Sequence, residues 1–347
     1  MATKKRPRTK ARIRIAFIGA GHMARKVHYP SLASFEDVEL VAICDLNEER
    51  LHATADQYEV QGRYTDYRRM LELVAPDGVY VIGHPQYMYE IWVWCLQQGQ
   101  NLYIEKPMGL TLHQAEILAH LAQEQGVVTQ VSHQRRSCPL LVKLREQCLQ
   151  RGPIYHAVCE FFKCNQKPAL MAAGHMMDDC THSIDTVRWM CGGEVVGVES
   201  ECKRLGTPDI NWIGATLHFD NGATGYLVNT WASGRRVFRV QMHAPGIYTD
   251  AEVENQAWLY TDGDYEGVAY DTKQVAGSDE LYVYGGFRAK NREFIDSLKT
   301  GVPMTSSPFS DTLKTMRIAE QILAQSVLQP AACEAASAER ERLVAYA

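Results

Sequence analysis

Three stretches of the chain combine residue types able to bind anions, hold charge and move protons. The first is GAGHMA, residues 19–24, which follows an apolar run and opens a helix-like segment. In a G-x-G-x-x-A turn the first glycine allows a sharp bend and the second lets backbone N–H groups approach a pyrophosphate. The small last residue keeps helix and strand close. Gly19, Gly21 and Ala24 take these roles, with His22 and Met23 at a helix N-terminus, where the dipole attracts an anion. About twenty residues on, Asp45 ends the next apolar run, where a carboxylate can accept hydrogen bonds from a ribose diol. The same charge repels a 2′-phosphate, so NAD is expected as cofactor and NADP is disfavoured.

The second stretch is NLYIEKPMG, residues 101–109, an apolar strand that stops on Glu105, Lys106 and Pro107. Pro107 biases Lys106 towards extended geometry and so aims its side chain. The third is GHMMDDCTHSIDTVRWM, residues 174–190. On a helix, Asp178, His182, Asp185 and Trp189 share one face, with His175 one turn earlier. A carboxylate one turn from a histidine can fix its tautomer and raise its basicity. A satisfied core histidine and a metal site from His175, Asp178 and His182 are the competing readings. No resident metal is expected, because the spacing carries no signature of an open coordination shell.

These residues need elements to position them. Runs at 13–19, 38–45, 77–83, 101–107 and 126–132 read as buried strands, with helical segments near 23–34, 47–57, 66–74, 86–98 and 111–125 between them. Continuous apolar strands alternating with helices imply an α/β unit with a doubly wound parallel sheet, whose ligands bind at the carboxyl ends of the strands. After residue 132 a helix near 138–151, a strand at 154–163 and a helix at 176–191 lead into strands near 195–204, 211–219, 223–232, 236–243 and 257–261. FDNGATG, residues 219–225, carries the Asn-Gly of a tight hairpin. This succession reads as an α+β unit with a large, mostly antiparallel open sheet, closed by helices near 285–299 and 308–326. The expected division is 1–11 a basic tail, 12–132 a cofactor-binding domain, 133–328 a second domain and 329–347 a C-terminal tail.

Composition narrows the function classes. Hydrophobic residues make up 46% and charged residues 22% of the 347 residues, the balance of a globular protein. Seven basic residues and no acid fall within 1–14, so a net charge of −5 leaves −12 on the rest. An acidic body argues against nucleic-acid binding. No apolar run approaches the ~18 residues of a membrane span. The basic leader lacks the apolar segment of a secretory signal. Ten cysteines without C-x-x-C pairs fit a reduced, cytoplasmic protein better than a zinc ribbon or disulfide scaffold.

Taken together, GAGHMA…H-x-P, Asp45, EKP and D-x-C-x-H-x-x-D-x-x-R-W resemble the glucose–fructose oxidoreductase / inositol dehydrogenase (Gfo/Idh/MocA) family, over residues 12 to about 328. The resemblance implies a Rossmann domain followed by an α/β domain whose open sheet joins subunits into a homodimer or homotetramer. It implies oxidation or reduction of a ring carbon of a sugar, cyclitol or derivative with NAD(P). Lys106, Asp178 and His182 match the family's catalytic positions. Arg135 and Arg136 fall where substrate-side basic groups are common, and Tyr282 and Tyr284 are candidates to line the sugar site. His84 and Pro85 border the nicotinamide pocket by the same likeness. Departures are Cys180 where glycine is frequent, Tyr89 in place of a histidine, and His84 in place of Thr or Ser.

On this reading His182 is the general base, held by Asp178, while Lys106 stabilises alkoxide charge, or the two exchange roles. Glu105 either contacts the nicotinamide ribose or pairs with a neighbour. Two alternatives use the same residues differently. One is an NAD-dependent glycosidase that oxidises C3 transiently and eliminates the leaving group, and the other is a non-enzymatic dinucleotide sensor.

Overall fold

The computed structural model describes residues 12–164, 172–207 and 209–327. The tails at 1–11 and 329–347 and the side chain of Asp178 lie outside the described residues. The first sheet has six parallel strands: β1 Ile13–Ile18, β2 Val38–Cys44, β3 Gly62–Tyr64, β4 Gly78–Val81, β5 Leu102–Ile104 and β6 Thr129–Val131. Their order is β3-β2-β1-β4-β5-β6, so the chain reverses its winding between β1 and β4. Five strands match the expected runs. β3 is three residues, GRY, at a half-buried edge, too short to show a period in the sequence.

Helices between the strands start where the sequence supplies an acceptor for the first free N–H groups. Asn47 caps Glu48–Gln57, Asp66 caps Tyr67–Val74 and Thr111 caps Leu112–Gln125, each through its side chain. Apolar residues cover both faces of the sheet. On one face Phe17, Tyr80 and Tyr103 stack across β1, β4 and β5, with ring centroids 4.9 and 4.4 Å apart.

The second sheet has eight strands: β7 His156–Cys164, β8 Val195–Lys203, β9 Trp212–Phe219, β10 Thr224–Thr230, β11 Ala232–Ala244, β12 Ile247–Glu252, β13 Gln256–Thr261 and β14 Val268–Asp271. The order is β14-β13-β12-β11-β7-β10-β9-β8, antiparallel except that β7 pairs with β10 in parallel. The expected hairpin joins β9 to β10, with Gly222 at φ +82° and Asn221 Oδ1 accepting from Ala223 N. β12 and β14 were not expected: the first carries two acids in six residues and the second is a mostly exposed four-residue edge.

The helices Pro139–Arg151 and Thr181–Cys191 cover one face of this sheet. The other face carries a row of stacked rings, His156, His243, Tyr248 and Tyr260, on four neighbouring strands. The last helices return to the first sheet. Phe287–Thr300 inserts the fully buried Phe294 and Ile295 beside Ile15, Phe17 and Tyr80, and Phe309–Val327 packs on Leu112–Gln125. This return holds the two sheets against one another, with a crevice of about 860 Å³ between them.

Candidate active site

The crevice opens at the carboxyl ends of β1, β4 and β5, where a doubly wound sheet binds ligands. After β1 the chain turns at Gly19, whose φ of +102° excludes most side chains; an added Cβ would lie 2.1 Å from Ile82 O. A Cβ on Gly21 would meet nothing within 4 Å, so that side of the turn is open towards the crevice. Gly21, His22, Met23 and Ala24 line the crevice, as do Ile82, Gly83, His84 and Pro85 after β4. His84 also caps the next helix by accepting from Gln86 N at 3.3 Å. This cradle suits the pyrophosphate of a dinucleotide, with Lys26 at its rim.

Asp45 is 7% exposed, and its carboxylate accepts from Ala20 N at 2.7 Å and Asn47 N at 2.8 Å. Arg50 grips it with two further bonds, 2.6 and 3.1 Å. Burial alone would raise this carboxyl, but Arg50 and the backbone donors hold it below the usual value. Asp45 therefore buttresses the glycine turn, and a guanidinium stands beside the expected ribose position.

β5 delivers Glu105 and Lys106 to the crevice, and the Lys106–Pro107 peptide is cis. The partner of Glu105 is His28, whose Nε2 lies 2.8 Å from Oε1. His28 is fully buried on a π-helical turn, Ala24–His28, and its Nδ1 faces Asn291 Oδ1 at 3.3 Å.

His182 enters from the other wall, on the helix Thr181–Cys191, with its ring edge-on to Phe161. Burial pushes its pKa well below 6.5, and the charges of Lys106, Arg135 and Lys163 add to the shift. The imidazole is therefore neutral near pH 7 and able to accept a proton.

The turn before it, Met176–Cys180, is a π-helix, which offsets residue 178 from the regular helix that carries residues 182, 185 and 189. Among the described side chains, Asp179 lines the crevice with His182. It accepts from Lys163 Nζ at 2.6 Å and Trp231 Nε1 at 2.7 Å. Asp185 does not reach the crevice; it is 1% exposed and bound to Arg136. His175 stacks on Trp231, centroids 3.9 Å apart. Among the described residues no three His, Cys, Asp or Glu side chains are grouped to hold a metal.

The two adjacent arginines part company. Arg135 lines the crevice, stacked 4.4 Å over Phe238 and bonded to Glu254 at 2.7 Å. Arg136 was expected at the substrate and is instead an internal strut. It forks onto Asp185 (2.8 and 2.5 Å), meets Asp311 at 2.7 Å and donates to Ser306 O. On a short 3-10 turn, Gln134–Ser137, neighbouring side chains point apart, so one faces the crevice and the next the core. Tyr282 likewise sits near Tyr58, outside the crevice lining, and Tyr284 lines it instead.

Gln134, Phe161, Lys163, Asp179, Arg236 and Glu254 also line the crevice, and the sequence reading did not single them out. Phe161 and Lys163 alternate on β7, a period-2 signal that could have paired them. Arg236 and Glu254 come from β11 and the turn after β12, and only the fold brings them to the other residues.

Comparisons with known proteins agree with this architecture. Residues 13–133 match the model described as an oxidoreductase family with an NAD-binding Rossmann fold, and residues 152–246 match the GFO/IDH/MocA C-terminal domain. D-glucoside 3-dehydrogenase of Escherichia coli is 27% identical over 251 residues, 65% of this chain and 72% of that protein. Myo-inositol 2-dehydrogenase of Thermotoga maritima is 23% identical over 312 residues, 85% and 89% of the two chains. A dehydrogenase structure from Chromobacterium violaceum superposes with a TM-score of 0.84 at 21% identity, covering 94% of this chain and 99% of its own. With both domain models matched in order on a doubly wound sheet and an open second sheet, the chain belongs to the Gfo/Idh/MocA oxidoreductase family.

Proposed function

We propose that this protein transfers hydride between NAD and a ring secondary alcohol or ketone of a sugar, cyclitol or sugar derivative. The observation that carries the proposal is the shared crevice of the glycine turn, Lys106 and a neutral His182, drawn from three separate elements. When bound, NAD supplies the hydride acceptor. Gly21 to Ala24 would hold its pyrophosphate at the helix N-terminus, and His84 and Pro85 would border the nicotinamide.

A secondary alcohol must lose its hydroxyl proton as hydride departs from carbon. His182 accepts that proton, because burial among cations keeps its ring unprotonated. Lys106 directs an N–H at the oxygen where negative charge develops. Asp179 anchors Lys163 and Trp231 beside His182 and so shapes the pocket around the base. Glu105 acts through His28, which ties the EKP segment to the glycine-turn helix.

The open face of the second sheet, with its row of aromatic rings, suits self-association into a homo-oligomer. Among the described residues no helix is long and apolar enough to cross a membrane. A cytoplasmic location is part of the same proposal.

The test is NADH formation with a panel of sugars and cyclitols, in the wild type and in Lys106→Ala and His182→Ala. Each variant should lower kcat by about 10²-fold or more with the fold retained. Near-normal turnover in either removes that residue from the mechanism. A glycoside consumed without net NADH would point to the transient-oxidation cycle instead.

A further inference from the structure

The substrate half of the crevice carries an unusual arrangement of charge. Arg135 and Arg236 share one carboxylate: Arg135 Nη2 donates to Glu254 Oε1 at 2.7 Å, and Arg236 Nη1 donates to Oε2. The third cation on this wall, Lys163, is matched by Asp179. Among the described side chains, two guanidiniums against one acid leave a unit of positive charge on a crevice that Lys106 also lines.

The donors are also incompletely used. The Arg135 side chain is only 8% exposed, and among the described residues its buried Nε has no hydrogen-bond partner. Gln134 Oε1, on the same 3-10 turn, is buried and has no partner among the described residues. Aromatic rings hold the two forks in place: Arg135 stacks on Phe238 at 4.4 Å and Arg236 on Phe161 at 5.4 Å. A guanidinium fixed in this way presents parallel N–H groups that match a carboxylate or phosphate.

We propose that the substrate is an anionic sugar derivative, whose carboxylate or phosphate docks on Arg135 and Arg236 while a ring hydroxyl reacts between Lys106 and His182. This rests on the dehydrogenase reading above for the reacting carbon, and adds the charge class of the substrate. Gln134 lines the same part of the crevice. The positive surroundings of His182, which lower its pKa, agree with an anion arriving nearby.

The experiment compares matched probes on the NAD-loaded protein: D-glucose, D-glucuronate and glucose 6-phosphate, and D-galactose with its uronate and 6-phosphate. Binding is read by calorimetry and turnover by NADH formation. At least one anionic member should exceed its neutral parent by about 100-fold in kcat/KM, and whether it is the uronate or the phosphate identifies the group. Arg236→Gln should reduce the anionic-to-neutral ratio by on the order of 10–100-fold, chiefly through KM, as expected for a charged hydrogen bond. Added salt should weaken the anionic member more than the neutral one.

Equal kcat/KM for neutral and anionic members, or an unchanged ratio in Arg236→Gln, overturns the anion site and leaves the dehydrogenase reading standing. Arg236-dependent binding of an anionic probe without NADH keeps the anion site and overturns the dehydrogenase reading. Absence of both binding and turnover with every anionic probe overturns the proposal.

Discussion

Arg136 offers the sharpest test of how the structure divides two adjacent arginines. Its side chain is 7% exposed and the Asp185 side chain 1%, and the two form a forked pair of 2.8 and 2.5 Å. Arg136→Ala removes one member and leaves Asp185 buried, with Thr315 Oγ1 at 3.3 Å and His133 Nδ1 at 3.7 Å as its nearest partners. Breaking a buried pair in this way costs about 3–5 kcal/mol. An unfolding entropy of about 2.1 cal/mol/K per residue over 347 residues gives roughly 0.7 kcal/mol/K, so Tm should fall by about 4–7 °C.

The pH dependence has a definite sign. Burial would raise the Asp185 carboxyl, but Arg136, His133 and Arg188 override it and hold the wild-type group well below 3.8. That stability is present above the unfolded pKa and lost as pH falls through the folded one. Arg136→Ala removes the largest of these opposing charges, so the Asp185 carboxyl moves up towards protonation as pH is lowered. The Tm deficit of the variant should therefore be larger at pH 8 than at pH 5. Differential scanning at one scan rate, with Arg135→Ala as the neighbour control, reads both effects. A Tm within about 1 °C of wild type, together with a raised substrate KM, would refute the strut and return Arg136 to substrate binding.

Other outcomes follow from the same geometry. Gly19→Ala places a Cβ 2.1 Å from Ile82 O at a φ of +102°, so NAD affinity should drop at least about tenfold in a fluorescence titration of a protein that still folds. Arg50→Gln removes the cation that offsets Asp45; with Arg50 39% exposed, an effect of roughly 1 kcal/mol should raise the NAD:NADP ratio of kcat/KM by about fivefold. An unchanged ratio would remove Arg50 from cofactor choice. Because His182 is held well below 6.5, kcat/KM should stay flat from pH 8 down through 6.5 and fall only in more acidic buffer. A midpoint at 6.5 or above would mean that the base is another group.

The placement of much of the crevice's first wall was legible in the chain. Gly19, Gly21, Asp45, His84, Glu105 and Lys106 all follow strands, and strands are written as continuous apolar runs. In a doubly wound sheet the residue after each strand stands at the ligand edge, so local pattern and topology suffice. His182 was legible for a related reason, as a polar residue on an otherwise inward helix.

Tertiary structure alone decided the rest. A π-turn at Met176–Cys180 set the register that brings Asp179 to the crevice, and helical periodicity contains no sign of an inserted residue. Arg135 and Arg136 are the same residue type side by side, and their roles differ because one meets Glu254 at the crevice and the other meets Asp185 in the core. Glu105 found His28, and Arg236 found Glu254, across spans that no local pattern connects. The sequence by itself determined where the strands end and which residues stand there. Which charges pair, and which are left facing the substrate, depended on elements far apart in the chain packing against one another.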